Sequence, residues 1–157
     1  MIRRAAVLAV LVAGAIVATA QAPAAPAGKI KICGQIRKGP AHDWSFPQAI
    51  ARQLGIPARV RGTTWTVLAD GVPCSFAMKK TPALLTQWKK AKPGARLVPG
   101  VAGWTCAKDK GFVAQAGKGS PGGSCLKSGS LFSFIGSGPY TLAQIKQLAA
   151  TGKLPVG

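Results

Sequence analysis

Four cysteines, at positions 33, 74, 106 and 125, constrain the fold of this chain more than any other feature. What they do depends on the compartment, and the N-terminus speaks to that. Arg3 and Arg4 make a positive start, residues 7–18 form an unbroken apolar run, and Ala18-Thr19-Ala20 reads as a small-x-small cleavage site. The run is too short to cross a bilayer, which takes about 20 apolar residues. The expectation is a signal peptide over 1–20, an Ala/Pro-rich linker over 21–28, and one secreted domain over 29–157. No later segment reads as a membrane span, so the product is expected outside the cell or on the cell wall. There, an even set of cysteines implies disulfides.

Other uses of the cysteines fit less well. A zinc site calls for closely spaced cysteine pairs or nearby histidines, and a redox centre calls for C-x-x-C. Here the separations are long and His42 is the one histidine. No metal or cofactor is therefore expected. Four cysteines allow three pairings, and spacing alone does not choose. Cys106 and Cys125 fall on candidate strands joined through a hairpin region, which favours Cys106–Cys125. Closing a loop of about 20 residues contributes roughly 3 kcal/mol. Cys33–Cys74 is then the second pair, tying the first strand to the start of the main helix.

The local signals are mixed. Residues 29–36 alternate as a short strand. Ser45 and Gln48 stand at capping-box spacing, with Pro47 in the first turn, and predict a helix ending at Gly55. Residues 63–69 read as a second strand closed by Asp70-Gly71. The main helix is predicted over 75–92, with Ala77, Leu84, Leu85 and Trp88 on one stripe and a break or bend at Pro82. Strands are predicted at 101–107, 112–116, 124–127 and 131–135, separated by glycine-rich turns. Thr141 and Gln144 form another capping box, opening a helix with Leu142, Ile145, Leu148 and Ala149 on one face and Gly152 as its stop. The sum is an α+β fold: a small antiparallel sheet, one main packed helix, helices near both ends, and two disulfides.

Part of this pattern resembles a known group. Gly71-Val72-Pro73-Cys74-Ser75-Phe76-Ala77, a helix, Gly103-Trp104-Thr105-Cys106 and then Gly123-Ser124-Cys125 is similar to the G-V-x-C-x-x-A, G-W-x-C and final-Cys pattern of small secreted actinobacterial proteins of uncharacterised function. The resemblance covers about half the chain, from Trp65 to Phe134. It implies export and a disulfide-stapled fold, and it carries over no catalytic residue.

Charge narrows the function. Twenty-one Lys and Arg stand against three acids, Asp43, Asp70 and Asp109, for a net charge of +18. Such a field attracts polyanions, whether envelope polymers, anionic lipid head groups, extracellular DNA or acidic polysaccharides. No specific nucleic-acid motif is present. The contact candidates are Lys79, Lys80, Lys89, Lys90 and Lys92 on and beside the main helix, with Arg59 and Arg61 as a second patch. Catalysis finds little support. Three scattered Asp do not make a carboxylate pair, no G-x-S-x-G surrounds a serine, and paired cysteines leave no thiol nucleophile. His42 reads as a loop or surface residue beside Trp44, the best candidate for an exposed aromatic. Trp65, Trp88 and Trp104 read as core.

The expected function is a non-catalytic binding module for polyanions. Two alternatives remain: a hydrolase inhibitor acting through the loop 117–123, between Gly117 and Gly123, or a cell-surface enzyme built around His42. Lys108, Lys110 and Lys118 fall in or near that loop. No signal for oligomeric state is present.

Overall fold

The computed structural model describes residues 30–45, 48–109 and 122–152. The expected signal segment over 1–20, the linker over 21–28, the strand expected at 112–116, Lys110, Lys118 and the side chain of Trp44 lie outside what is described. The fold is α+β. Strands β1 (Lys31–Ile36), β4 (Trp65–Asp70), β5 (Thr105–Lys108), β6 (Gly122–Lys127) and β7 (Ser130–Gly136) form a five-stranded antiparallel sheet in the order β1-β4-β7-β6-β5. Strands β2 (His42–Ser45) and β3 (Arg59–Gly62) pair separately. The helices are α1 (Gln48–Leu54), α2 (Cys74–Lys90) and α3 (Leu142–Thr151).

Alternation along the central strands decides what each sheet face carries. Trp65, Val67 and Ala69 of β4 and Phe132 and Phe134 of β7 point to one face and are buried. Helix α2 covers that face with Ala77, Thr81, Leu84, Leu85 and Trp88. The contact is aromatic: Trp65 meets Trp88 at 4.7 Å between ring centroids, and Trp104 meets Phe132 at 5.2 Å, both edge-on. Each fully buried leucine on α2 contributes about 1.5–3 kcal/mol.

That burial also explains Pro82. The sequence predicts a break or bend there; the helix does not break, and α2 runs through Pro82. Losing a backbone donor and crowding the preceding turn costs about 3 kcal/mol. The apolar stripe, continuous on either side of Pro82, offsets this, and the neighbouring Thr81 hydroxyl donates to the Ala77 carbonyl at 2.8 Å. Pro82 itself faces solvent.

Two disulfides staple this layer. Cys33 bonds Cys74 at the first turn of α2, and Cys106 bonds its cross-strand partner Cys125. Cys33 occupies a β-bulge, where the register slips between Ile32 and Gly34. The bulge turns the extra residue toward the helix. Beside it, Gly34 leaves room for Met78, whose methyl carbon would stand 3.1 Å from a Cβ at that position.

Several elements differ from the sequence reading. Ser45 ends strand β2, opposite Arg59, and α1 is described from Gln48. The Gly122-Gly123 pair is strand rather than turn. A Cβ on Gly123 would lie 2.4 Å from the Phe134 ring, so the missing side chain is what lets Phe134 lie across β6. The capping box at α3 forms as the spacing requires, with Gln144 N–H donating to the Thr141 hydroxyl and Thr141 N–H to the Gln144 side chain. Gly152 closes that helix in the left-handed conformation.

Candidate anion-binding surface

Helix α2 carries no acidic residue. With its buried stripe fixed against the sheet, helical periodicity puts Lys79 and Lys90 on the opposite, solvent face. They lie eleven residues apart, about 16 Å along the axis. Lys89 is exposed on one flank of this ridge. Lys80, on the other flank, is half-buried, its ammonium 5.8 Å from the Phe76 ring centroid. Lys92 is exposed just beyond the C-terminal end. Lys89 and Lys90 also occupy the last turn, where a cation complements the helix dipole. Among the described residues, no carboxylate pairs with any of these five lysines.

A groove continues the ridge past the helix end. Lys90 and Arg96 line it with Thr86, Gln87, Val98 and Pro99, enclosing ≈ 350 Å³. Gln87 fixes its far wall by accepting a hydrogen bond from Gly100 N–H at 2.9 Å. Arg96 was absent from the sequence candidates. Its bridge to Ala107 places it there, and the alternation through Ala95, Arg96, Leu97 and Val98, with Leu97 buried and Arg96 and Val98 exposed, is the signal that could have found it.

Lys108 has a different job from the open-loop role its sequence context suggests. It lies on β5, half-buried, with its ammonium 4.0 Å from the Trp88 ring centroid. It donates to the carbonyls of Trp88 at 3.2 Å and Ala91 at 2.9 Å. These carbonyls lie at the end of α2, where the Trp88 carbonyl also accepts from the Ala91 N–H at 3.2 Å. Burial lowers the Lys108 pKa from its ordinary value. Lys108 is thus a cap for the lysine-bearing helix rather than part of its outer surface.

The second sequence-predicted patch is compensated. Asp43 stands on the same face of the small sheet as Arg59 and Arg61. Arg59 Nε donates to Asp43 Oδ1 at 2.7 Å, and Arg61 Nε lies 3.2 Å from Oδ2. The hydrogen bond from Arg59, aided by both guanidinium charges, lowers the Asp43 pKa. One carboxylate therefore serves two arginines, and the patch keeps a smaller excess of charge than α2 does.

His42 is buried, 5 % exposed, contrary to a loop or surface position. Its Nε2 lies 3.0 Å from the Thr64 carbonyl, and its ring stands edge-on to Trp65 at 5.1 Å. Burial lowers its pKa. Among the described residues, its buried Nδ1 has no hydrogen-bond partner. The adjacent Asp43 is on the opposite side of the strand, engaged by the arginines. Among the described residues, no group of three or more His, Cys, Asp or Glu is placed to hold a metal ion. Of the loop 117–123, residues 117–121 lie outside the described chain, and Gly122 and Gly123 belong to β6. No helix of the described residues is long and apolar enough to cross a membrane. No family model, curated protein or solved structure matches this chain.

Proposed function

We propose that the chain is an exported, non-catalytic module that binds envelope or extracellular polyanions through the outer face of α2. The observation that carries this reading is the ridge of Lys79, Lys89 and Lys90, exposed and without a carboxylate partner among the described residues. Lys92 and Arg96 extend it at the C-terminal end, and the chain's net charge of +18 strengthens the attraction. Export is supported by the positive, apolar and small-residue pattern of residues 1–20. Two disulfides also suit an oxidising compartment.

Flexible lysines on an open ridge suit a repeating anionic polymer better than a single shaped ligand. Lysine is a point charge with little geometric demand, unlike the planar fork of arginine. The test is binding to a polyphosphate-type polymer, such as a teichoic acid, across salt concentrations. The Lys79→Ala/Lys89→Ala/Lys90→Ala triple variant should bind more weakly and show a shallower dependence on log salt, because fewer counterions are released. An affinity that persists unchanged into molar salt would refute the electrostatic reading. A triple variant that binds like the parent would move the site away from α2.

A further inference from the structure

The groove at the C-terminal end of α2 differs from the ridge that leads into it. On the ridge, flexible lysines stand on an open helix face. In the groove, Lys90 shares a walled space of ≈ 350 Å³ with Arg96. The backbone holds Arg96 in place. Lys108 N–H donates to the Ala95 carbonyl and Leu97 N–H to the Cys106 carbonyl, both at 2.9 Å. Leu97 is buried in the core, and Cys106 is bonded to Cys125. The segment is therefore tied to β5, and Arg96 points out of it. A group held this way loses less freedom on binding than one on a loose loop.

The end of a helix ordinarily repels an anion, because its last carbonyls carry the negative pole of the dipole. Lys108 offsets this from the inner side. Its ammonium takes the Trp88 carbonyl at 3.2 Å and the Ala91 carbonyl at 2.9 Å. Lys90 and Arg96 are then left to meet an anion from solvent.

The lining restricts the chemistry of that anion. Lys90 and Arg96 bring two positive charges, and no acid lines the groove. Neither cation has a carboxylate partner among the described residues. Gln87 Oε1 is committed to Gly100 N–H, so the polar group it has left is the Nε2 donor. A carboxylate or a phosphodiester brings one charge and leaves one cation uncompensated. A phosphomonoester brings a charge of about −1.5 to −2 and three acceptor oxygens, which match two cations and a further donor. The guanidinium fork takes two of those oxygens side by side. The volume is near the lower end of the range of about 300–1,000 Å³ usual for small-molecule sites, which suits a single polyol or sugar unit. Val98, 76 % exposed, and Pro99 offer an apolar wall to its C–H groups. We propose that the groove binds a phosphomonoester carried on a small polyol or sugar, whether at the end of an envelope polymer or free. The proposal rests on the reading of α2 as an anion-binding face and names what its C-terminal end recognises.

The test titrates glycerol 3-phosphate into the purified chain by calorimetry, beside glycerate, dimethyl phosphate and inorganic phosphate. Glycerol 3-phosphate should saturate one site per chain and bind about tenfold more tightly than the singly charged glycerate and dimethyl phosphate. Arg96→Ala should weaken it about tenfold, and Arg96→Lys should recover only part of the loss, because an ammonium lacks the fork. The Lys79→Ala/Lys89→Ala variant should bind glycerol 3-phosphate like the parent while losing affinity for teichoic acid. Phosphatase treatment of a teichoic acid separates the two sources: lower affinity for the parent but not for Arg96→Ala assigns the groove to the polymer end, and no change assigns it to the free polyol phosphate. Failure of glycerol 3-phosphate to saturate, equal binding of glycerate, or undiminished binding in Arg96→Ala would overturn the proposal, and the ridge reading would stand if teichoic acid still bound. Absence of teichoic acid binding with glycerol 3-phosphate binding intact would overturn the ridge reading alone. Inorganic phosphate binding as tightly as glycerol 3-phosphate would overturn the role of the Val98–Pro99 wall.

Discussion

His42 permits a direct test of how the small sheet is held to the large one. It is the one histidine in the chain, so a single side chain dominates titration between about pH 5 and 7. Burial holds its pKa below the ordinary 6.5, outweighing the Thr64 carbonyl and the nearby Asp43 charge, both of which favour the cation. The neutral ring donates from Nε2 to Thr64 and leaves Nδ1 as a buried acceptor without a partner among the described residues. Protonation would place an N–H there facing no acceptor, at a cost of about 1–3 kcal/mol. Below about pH 6.5 the unfolded chain therefore takes up the proton more readily than the folded one. Stability falls as pH falls through that range, with a limiting slope of about 1.4 kcal/mol per pH unit, until the folded-state pKa is reached. The total loss should be about 1–3 kcal/mol, lowering Tm by roughly 3–12 °C. Urea midpoints at several pH values would measure it, with His42→Gln as the control. Glutamine offers a donor toward Thr64 and does not titrate, so its curve should lack this slope. Parallel curves for parent and variant, or a parent that gains stability between about pH 6.5 and 5, would refute the reasoning.

Other substitutions probe the remaining supports. Lys108→Met keeps the stem over Trp88 but removes both hydrogen bonds to the end of α2. It should cost about 2 kcal/mol by chemical denaturation, and a loss under about 0.5 kcal/mol would show the cap to be unimportant. Replacing Cys106 and Cys125 together by Ala should cost about 3 kcal/mol, and Cys33 with Cys74 about 4 kcal/mol, because the second pair closes the longer loop. Reversal of that order would point to effects beyond chain entropy. Gly123→Ala forces a methyl group into the Phe134 ring and should destabilise by about 1–3 kcal/mol, whereas Gly129→Ala meets no atom within 4 Å and faces only the strain of its positive φ. Equal losses at the two glycines would argue against the close approach of Phe134.

The fold was legible where its cause is local. The α2 stripe from Ala77 to Trp88 and the α3 capping box depend on residues three to eleven apart, and each element forms where the spacing puts it. Non-local causes were not legible. Strand β4 pairs with β7, more than sixty residues away, because their alternating aromatic and aliphatic faces share one core. His42-Asp43-Trp44-Ser45 has no run of β-branched residues, yet it becomes a strand against Arg59–Gly62, where Asp43 meets both arginines. The pairing in turn buries His42 on the inner side. A single acid four residues before a proline looks like loop; an R-x-R segment of opposite charge downstream is the feature that could have suggested its partner.

The same distinction runs through the candidate sites. The lysines of α2 could be read as exposed because an amphipathic helix assigns faces by periodicity alone. Arg59, Arg61 and Lys108 share that charge but not that role, since each is defined by a residue distant in sequence: Asp43 for the arginines and the end of α2 for Lys108. Counting basic residues therefore overstates the free cationic surface. The useful measure is the set of cations left without a partner once the strands are paired; in the described chain that set includes the outer face of α2 and the groove beyond it, beside exposed cations on other elements such as Lys31, Arg37, Lys38, Arg52, Lys127 and Lys146. A chain with the same composition but with carboxylates placed opposite Lys79 and Lys90 would keep most of its net charge and lose the ridge.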